Sequence, residues 1–272
     1  MTGPQAQMLS GDRLHLNQGP IDLILGARGP GRAAFFAAAT ARFQTVLQEL
    51  VAELANLRRA DPPPLSGPVA RRMQAAITPL AVEFVTPMAA VAGAVADEIL
   101  QTAPPELPMA YVNNGGDIAF QLAPGQSFAV AMVGGSLTLP AAAPWRGLAT
   151  SGRGGRSHSL GIADAVTVIA RTAAQADAAA TMIANRVDLP GHPAISRMPA
   201  CHLSPDSDLG DRPVTTGLAR LTAAETAQAL AAGAAYAETL QLRGLIGGAQ
   251  LCLNGATRQT GPDILTKDPA HA

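Results

Sequence analysis

The chain of 272 residues is almost electrically neutral, with 19 basic and 20 acidic side chains, and 48 % of its residues are hydrophobic. No run of lysine or arginine occurs, so the charge pattern argues against binding to nucleic acid or to an anionic membrane. Two cysteines, Cys201 and Cys252, stand far apart without a Cys/His cluster, which argues against zinc, iron–sulfur and disulfide-framework proteins. We predict that both are buried thiols.

The length is sufficient for a large hydrophobic core, and we predict one domain over residues 1–272. The first 20 residues contain no basic segment followed by an apolar one, and no apolar run reaches the length of a membrane span. These features predict a cytoplasmic protein without membrane contact. Because only 14 % of the residues are charged, we expect a globular protein that forms homo-oligomers.

Hydrophobic periodicity gives the first elements of the chain. Residues 14–27 predict two short strands around a Gly-Pro turn, and residues 31–59 predict a helix whose last two arginines favour its dipole. The Pro-rich segment 60–68 is a possible domain boundary, which we interpret as a connector. Residues 87–100 predict a helix of small residues. Either another helix packs closely against it, or a ligand lies across Gly93.

A glycine-rich turn follows in the sequence. Residues 109–112 and 118–122 predict two strands joined by the Asn-Asn-Gly-Gly-Asp turn at 113–117. The two glycines supply the positive backbone dihedral angles of a tight turn, and their amides could also bind a phosphate or a ring carbonyl. Residues 127–133 and the strand before Thr150 are predicted to extend the same sheet.

The loop at residues 151–159 combines three glycines with Arg153, Arg156 and His158. Two guanidinium groups on such a loop can bind a phosphate through paired hydrogen bonds, and a mobile solvated loop is the alternative. His158 could act as a base or stack on a ring, or it could have neither role.

Next come a buried strand at residues 165–170 and an alanine-rich helix at 172–185. Asp177 and Thr181 are four residues apart, so they project from the same face of this helix. In one interpretation Thr181 hydrogen-bonds to its own helix and Asp177 caps a neighbouring segment. In the other interpretation they bind a hard cation such as Mg²⁺, with phosphate oxygens completing the coordination.

The remaining segments complete the predicted fold. Residues 188–213 predict a long loop, and residues 222–242 and 249–253 predict a last helix and a last strand. Three aspartates of the long loop resemble half of a calcium loop but lack its glycine and glutamate, so we predict that they cap turns: Asp206, Asp208 and Asp211. The fold class is therefore α+β, with mixed β-sheet packed with helices.

The motifs between residues 86 and 185 together resemble the ApbE-like flavin transferases, and in particular a shorter branch of that group. The matching residues, in chain order, are a helix Gly four residues before an Asp (Gly93, Asp97), NxGGD (Asn113, Gly115, Gly116, Asp117), ATSG (Ala149, Thr150, Ser151, Gly152), SH (Ser157, His158), VTVIA (166–170) and ADxxxT (Ala176, Asp177, Thr181). The resemblance implies an ApbE-like single domain.

Enzymes of this family move FMN from FAD to a serine or threonine of a target protein, with Mg²⁺. The resemblance therefore implies FAD and Mg²⁺ as cofactors, with Asp177 and Thr181 as Mg²⁺ ligands and the Gly115–Gly116 turn beside the flavin. Family transferases commonly modify membrane redox proteins outside the cytoplasm, but because this sequence shows no signal segment we expect a cytoplasmic redox protein as acceptor. In this hypothesis His158 orients or deprotonates the acceptor hydroxyl.

Two departures from the family pattern concern the same site. Family members have a lysine directly before the helix glycine, where this chain has Ala92, and their IIDPxTG segment is replaced by residues 159–165. Without this lysine, a positive charge is missing from the position where the diphosphate of FAD would bind. Arg153 or Arg156 could supply that charge instead.

Two further functions are open from the sequence. One is a different enzyme on the same scaffold that acts on a small anionic metabolite, with Asp177, His158 and Asp164 as acid–base candidates. The other is a non-catalytic flavin- or nucleotide-binding assembly factor. The single Trp and two Tyr of the chain offer few rings for stacking on a flavin, which argues against stable flavin storage.

Overall fold

The computed structural model describes residues 3–132, 135–155, 157–261 and 265–266. Its strands are β1 (Gln5–Leu9), β2 (Arg13–Gln18), β3 (Ile21–Arg28), β4 (Met109–Asn114), β5 (Asp117–Leu122), β6 (Ser127–Met132), β7 (Gly135–Pro140), β8 (Gly147–Ser151), β9 (Ala165–Ala170), β10 (Ile195–Pro199), β11 (Pro213–Leu218), β12 (Gly248–Leu253), β13 (Ala256–Thr260) and β14 (Leu265–Thr266). Its α-helices are α1 (Arg32–Ala52), α2 (Leu54–Leu57), α3 (Pro68–Ile77), α4 (Val91–Leu100), α5 (Ala173–Arg186), α6 (Ala200–Leu203) and α7 (Ala223–Leu242).

The main sheet contains nine strands within the described residues, in the order β1-β2-β3-β4-β5-β8-β9-β12-β13, and each neighbouring pair is antiparallel. In the chain, strand β3 lies before the 60–68 segment and strand β4 lies after this segment, and the two strands pair with each other. Strands from both sides of this segment therefore share one sheet. A three-stranded sheet (β14-β7-β6) and the β10–β11 pair complete the strands that the structure describes. The packing of helices on this sheet confirms the predicted α+β class.

One face of the main sheet is covered by helices. Strand β3 alternates over most of its length as a half-buried strand should, with Leu23 and Leu25 fully buried on either side of the partly exposed Ile24. Helix α5 packs on β8 and β9 and contacts α4 and α7. Its many buried alanines allow this close packing from several sides. None of the described helices combines the length and apolar character that crossing a bilayer requires.

The opposite face of the main sheet is covered by the three-stranded sheet β14-β7-β6. This arrangement corrects the prediction for strand β6. Strand β6 was expected to extend the main sheet, but it pairs with β7 in the three-stranded sheet. There Phe128 of β6 stacks on Phe120 of β5, with ring centroids 4.6 Å apart and planes 11° apart. Burial of Phe120 therefore comes from this second layer, which the strand pattern alone does not reveal.

The predicted helix at 31–59 is divided in the structure. Helix α1 ends at Ala52, and the short helix α2 follows after Glu53. The Glu53 carboxylate accepts hydrogen bonds from the backbone nitrogens of Ser66 (2.8 Å) and Gly67 (2.6 Å). These contacts hold the Pro-rich connector against the end of the divided helix.

Three predictions for the C-terminal part are also corrected. The predicted loop at 188–213 contains β10 and α6, because β10 finds its partner in β11 at the end of the loop. The strand at 249–253 is not the last, since β13 and β14 follow it. Strand β13 lies at the sheet edge and is mostly exposed, so its residues have no apolar pattern to reveal it. Cys252 is buried as predicted, but Cys201 is partly exposed.

Candidate functional site

A cavity of about 810 Å³ lies where α4 and α5 meet the 113–117 turn, the loop after β8 and the 204–209 segment. A cavity of this size can contain a nucleotide-sized ligand. It brings together many of the residues that the sequence predicts for a site: Gly115, Asp117, Thr150, Ser151, Gly152, His158, Asp177 and Thr181.

Asp177 faces this cavity from the middle of α5. Its Oδ2 accepts a hydrogen bond of 3.0 Å from the backbone nitrogen of Gly93 in α4. Burial raises the pKa of Asp177 well above its usual value, and the nearby charge of Asp117 raises it further, while the amides of Gly93 and Ala92 oppose the rise. Asp177 thus contacts a neighbouring helix, as one interpretation predicted, and also lines the cavity.

Thr181 lies one turn further along α5. Its hydroxyl donates a hydrogen bond of 3.3 Å to the Ser151 hydroxyl at the end of β8. The structure therefore does not show the predicted bond of Thr181 to its own helix. Instead, two hydroxyl oxygens and the Asp177 carboxylate line one cavity, and all of them are hard oxygen ligands.

The 113–117 turn has the geometry of a tight hairpin turn. Gly115 and Gly116 have φ angles of 64° and 114°, which confirms the predicted positive dihedral angles. The Asn113 side chain accepts a hydrogen bond of 2.8 Å from the Gly116 nitrogen. Asp117 accepts one of 3.1 Å from the Thr150 nitrogen, so the turn is held against the end of β8.

Close packing of α4 on α5 explains the small residues of α4. A Cβ atom on Gly93 would lie 2.2 Å from the Ala173 carbonyl oxygen. Of the two alternatives for Gly93, the structure therefore shows helix packing. Asp97, one turn later, accepts hydrogen bonds from the backbone nitrogens of Ala173 (3.0 Å) and Ala174 (2.9 Å) at the start of α5. Burial raises the pKa of Asp97 to about 6.

The arginine loop is placed differently from the prediction. Arg153 forms an ion pair of 2.6 Å with Asp164, and the second oxygen of Asp164 accepts a hydrogen bond of 2.6 Å from the Asn254 nitrogen. Neither Arg153 nor Asp164 is among the described residues that line the cavity. The structure thus does not bring these two predicted site residues to the others. Arg156 lies outside the described residues.

The 204–209 segment forms a wall of the cavity that the sequence did not predict. Asp208 accepts a hydrogen bond of 2.5 Å from the Thr86 hydroxyl, 122 residues away. His158 Nε2 lies 3.2 Å from the Ser204 hydroxyl oxygen. Asp211 has a different partner outside this wall, the Cys201 thiol at 3.1 Å. Asp208 therefore forms a long-range contact, and Asp211 accepts from a thiol ten residues earlier in the chain.

Sequence reasoning missed two more residues of the lining. Asn114 is buried and donates a hydrogen bond of 3.1 Å to the Ala92 carbonyl oxygen, which fixes the turn against α4. Arg58, directly after α2, reaches the same cavity. A basic residue at the end of a helix is already explained by the helix dipole, so only the tertiary structure reveals that Arg58 lines the cavity.

Comparisons with known proteins identify the family. The UPF0280 protein MK0206 of Methanopyrus kandleri is 38 % identical over 124 residues, which are 43 % of this chain and 48 % of that protein, so the chain spans about half the length of this curated relative. The solved apo structure of Pseudomonas stutzeri flavinyl transferase ApbE aligns with a TM-score of 0.44 and 12 % identity, over 98 % of this chain and 99 % of that one. The family model described as AbpE bacteria matches residues 5–259. The chain therefore belongs to this family, which confirms the ApbE-like resemblance of its motifs.

Proposed function

We propose that this protein is a Mg²⁺-dependent flavin transferase that takes FMN from FAD. The observation that supports the proposal most is the position of Asp177, a carboxylate that lines a cavity of about 810 Å³ and has its pKa raised by burial and by Asp117. Two neighbouring carboxylates that disfavour each other's charge are stabilised when a cation binds between them. Family membership and the ADxxxT motif support the same ligand class.

The residues at this place fit Mg²⁺ shared with a phosphate. Asp177, Thr181 and Ser151 supply oxygen atoms to the cavity. Within the described residues, no group of three His, Cys, Asp or Glu side chains could hold a metal ion by itself. Mg²⁺ commonly binds through one or two carboxylates and completes its coordination with water and substrate phosphates. Asp177 with Thr181 would hold the ion, which would neutralise charge on the FAD diphosphate when bound.

The chain's own residues have separate tasks in such a transfer. The acceptor hydroxyl oxygen forms a bond to the FMN phosphorus, the phosphoanhydride bond to AMP breaks, and AMP leaves. His158 takes the proton of the acceptor hydroxyl on Nε2, the nitrogen that already lies 3.2 Å from a serine hydroxyl. Gly115 lines the cavity and would place its backbone beside the ligand, whereas the Gly116 amide donates to the Asn113 side chain.

Two observations favour this function over the alternatives. One of the three acid–base candidates of the metabolite enzyme, Asp164, forms an ion pair with Arg153 and is not among the described cavity residues, whereas Asp177 and His158 line the cavity. A flavin store would need a ring for stacking, and besides the His158 imidazole the described lining offers only Phe84. Its ring is covered by Arg212, whose guanidinium carbon lies 3.2 Å from the ring centroid.

Calorimetry with FAD, with and without Mg²⁺, tests this proposal. We expect Mg²⁺-dependent binding by the wild-type protein and its loss in Asp177→Asn, because the variant removes the charge that would hold the ion. Asp211→Asn is the matched control, since Asp211 is not among the described cavity residues. FAD binding that is unchanged by Mg²⁺ removal and by Asp177→Asn would refute the metal site.

A further inference from the structure

The charge of the cavity lining creates a requirement for a cation. Among the described lining residues, four are aspartates: Asp117, Asp177, Asp206 and Asp208. Against them stand one arginine, Arg58, and one histidine, His158. Such an acidic cavity disfavours an anionic ligand unless positive charge is placed on it. One bound Mg²⁺ ion compensates only part of this charge.

Three other arginines that the structure describes near the site are already engaged. Arg153 pairs with Asp164, Arg197 pairs with Asp188 at 2.5 Å, and Arg212 lies on Phe84. The Arg58 side chain, in contrast, has no hydrogen bond, ion pair or ring contact with any residue that the structure describes. Its guanidinium group therefore retains all its donors for a ligand.

The backbone at Arg58 is nevertheless fixed. Leu57, the residue before it, is fully buried in the core, and the Arg58 nitrogen donates a hydrogen bond of 3.1 Å to the Leu54 carbonyl oxygen. The neighbouring Arg59 is exposed, and its Nε donates to the Asp61 carbonyl oxygen at 3.2 Å. Of these two adjacent arginines, Arg58 reaches the cavity with no partner in the part of the chain that the structure describes, and Arg59 is bound to its own loop.

We infer that Arg58 binds a phosphate group of the ligand in this cavity. A guanidinium donates two parallel hydrogen bonds to a phosphate and remains charged at all working pH values. The identity of the ligand as FAD rests on the proposed function. Phosphate binding by Arg58 rests instead on its position as the arginine of the described cavity lining. Arg58 would thus supply the charge that Ala92 lacks, from a different part of the chain.

Arg58→Gln and the matched control Arg59→Gln test this inference, with calorimetry of three probes: inorganic pyrophosphate with Mg²⁺, FAD with Mg²⁺, and riboflavin. We expect Arg58→Gln to weaken pyrophosphate and FAD binding by about 10- to 100-fold, the usual effect of a charge-assisted hydrogen bond, and to leave any riboflavin binding unchanged. Arg59→Gln should bind each probe as the wild-type protein does. Arg58→Lys should restore part of the lost affinity.

The outcomes separate this inference from the proposed function. If the wild-type protein binds pyrophosphate through Arg58 but does not bind FAD, the inference stands and the proposed function fails. If FAD binds with Mg²⁺ equally in the wild-type protein and in Arg58→Gln, the inference is overturned and the proposed function stands. Equal weakening by both glutamine variants, or no binding of pyrophosphate and FAD to the wild-type protein, also overturns it. Equal thermal midpoints for the two variants verify that the fold is retained.

Discussion

Replacement of Asp97 by asparagine should change how the stability of the protein depends on pH. Asp97 joins α4 to the start of α5 through its hydrogen bonds from Ala173 and Ala174. Burial raises its pKa from the ordinary value of 3.8 to about 6, and these hydrogen bonds oppose part of the rise. The folded protein therefore binds this proton more tightly than the unfolded chain does.

The direction and size of the effect follow from this difference. A group whose pKa is raised in the folded state stabilises the fold fully below its unfolded pKa of 3.8 and loses that contribution as the pH rises through about 6. The difference between the two pKa values corresponds to about 3 kcal/mol of unfolding free energy. Asparagine retains one oxygen acceptor but has no charge to bury, so the variant should lack this pH dependence.

Urea unfolding from about pH 4 to about pH 7 measures the effect. Because a pH of about 4 already lies slightly above the unfolded pKa of 3.8, we expect the unfolding free energy of the wild-type protein, relative to that of Asp97→Asn, to fall by about 2 kcal/mol over this range. Thr239→Ala is the control, because it removes a hydrogen bond of 3.0 Å to the Ala235 carbonyl oxygen within α7 without changing a charge. A free-energy difference between wild type and Asp97→Asn that does not vary with pH would refute the reasoning.

Two further predictions concern packing and capping. Gly93→Ala should destabilise the protein by about 1–3 kcal/mol in urea unfolding, because its Cβ would overlap the Ala173 backbone, whereas the control Gly217→Ala should have little effect. An unchanged midpoint for Gly93→Ala would contradict the close packing of α4 on α5. Thr222→Ala should cost about 1 kcal/mol, since the Thr222 hydroxyl and the Glu225 carboxylate form a capping box at the start of α7. A thermal midpoint equal to that of the wild type would show that the box contributes nothing.

Local patterns predicted the parts of the fold that depend on neighbouring residues. The alternation in β3, the helical period of α5 and the glycines of the 113–117 turn each contain their own structural signal. The same patterns place Asp177 and Thr181 together on one helix face, as the structure shows both in one cavity. Periodicity is sufficient here because the relevant distances lie within one element.

The remaining features depend on contacts between distant segments. The hydrogen bond of Thr86 to Asp208 joins residues 122 positions apart, and no local pattern in either segment indicates it. Strand β10 becomes a strand because β11 is available as a partner. Arg58 looked like an ordinary helix-end cation, and only the tertiary structure places it in the cavity.

The transfer reaction itself is the most direct measurement of the central claim. The protein would be incubated with FAD, Mg²⁺ and a cell extract as the source of acceptor proteins, and AMP and protein-bound flavin would be quantified together. The account predicts that both products appear in equal amounts, that neither appears without Mg²⁺, and that Asp177→Asn forms neither. AMP release without any protein-bound flavin, or equal product formation by Asp177→Asn, would contradict the account.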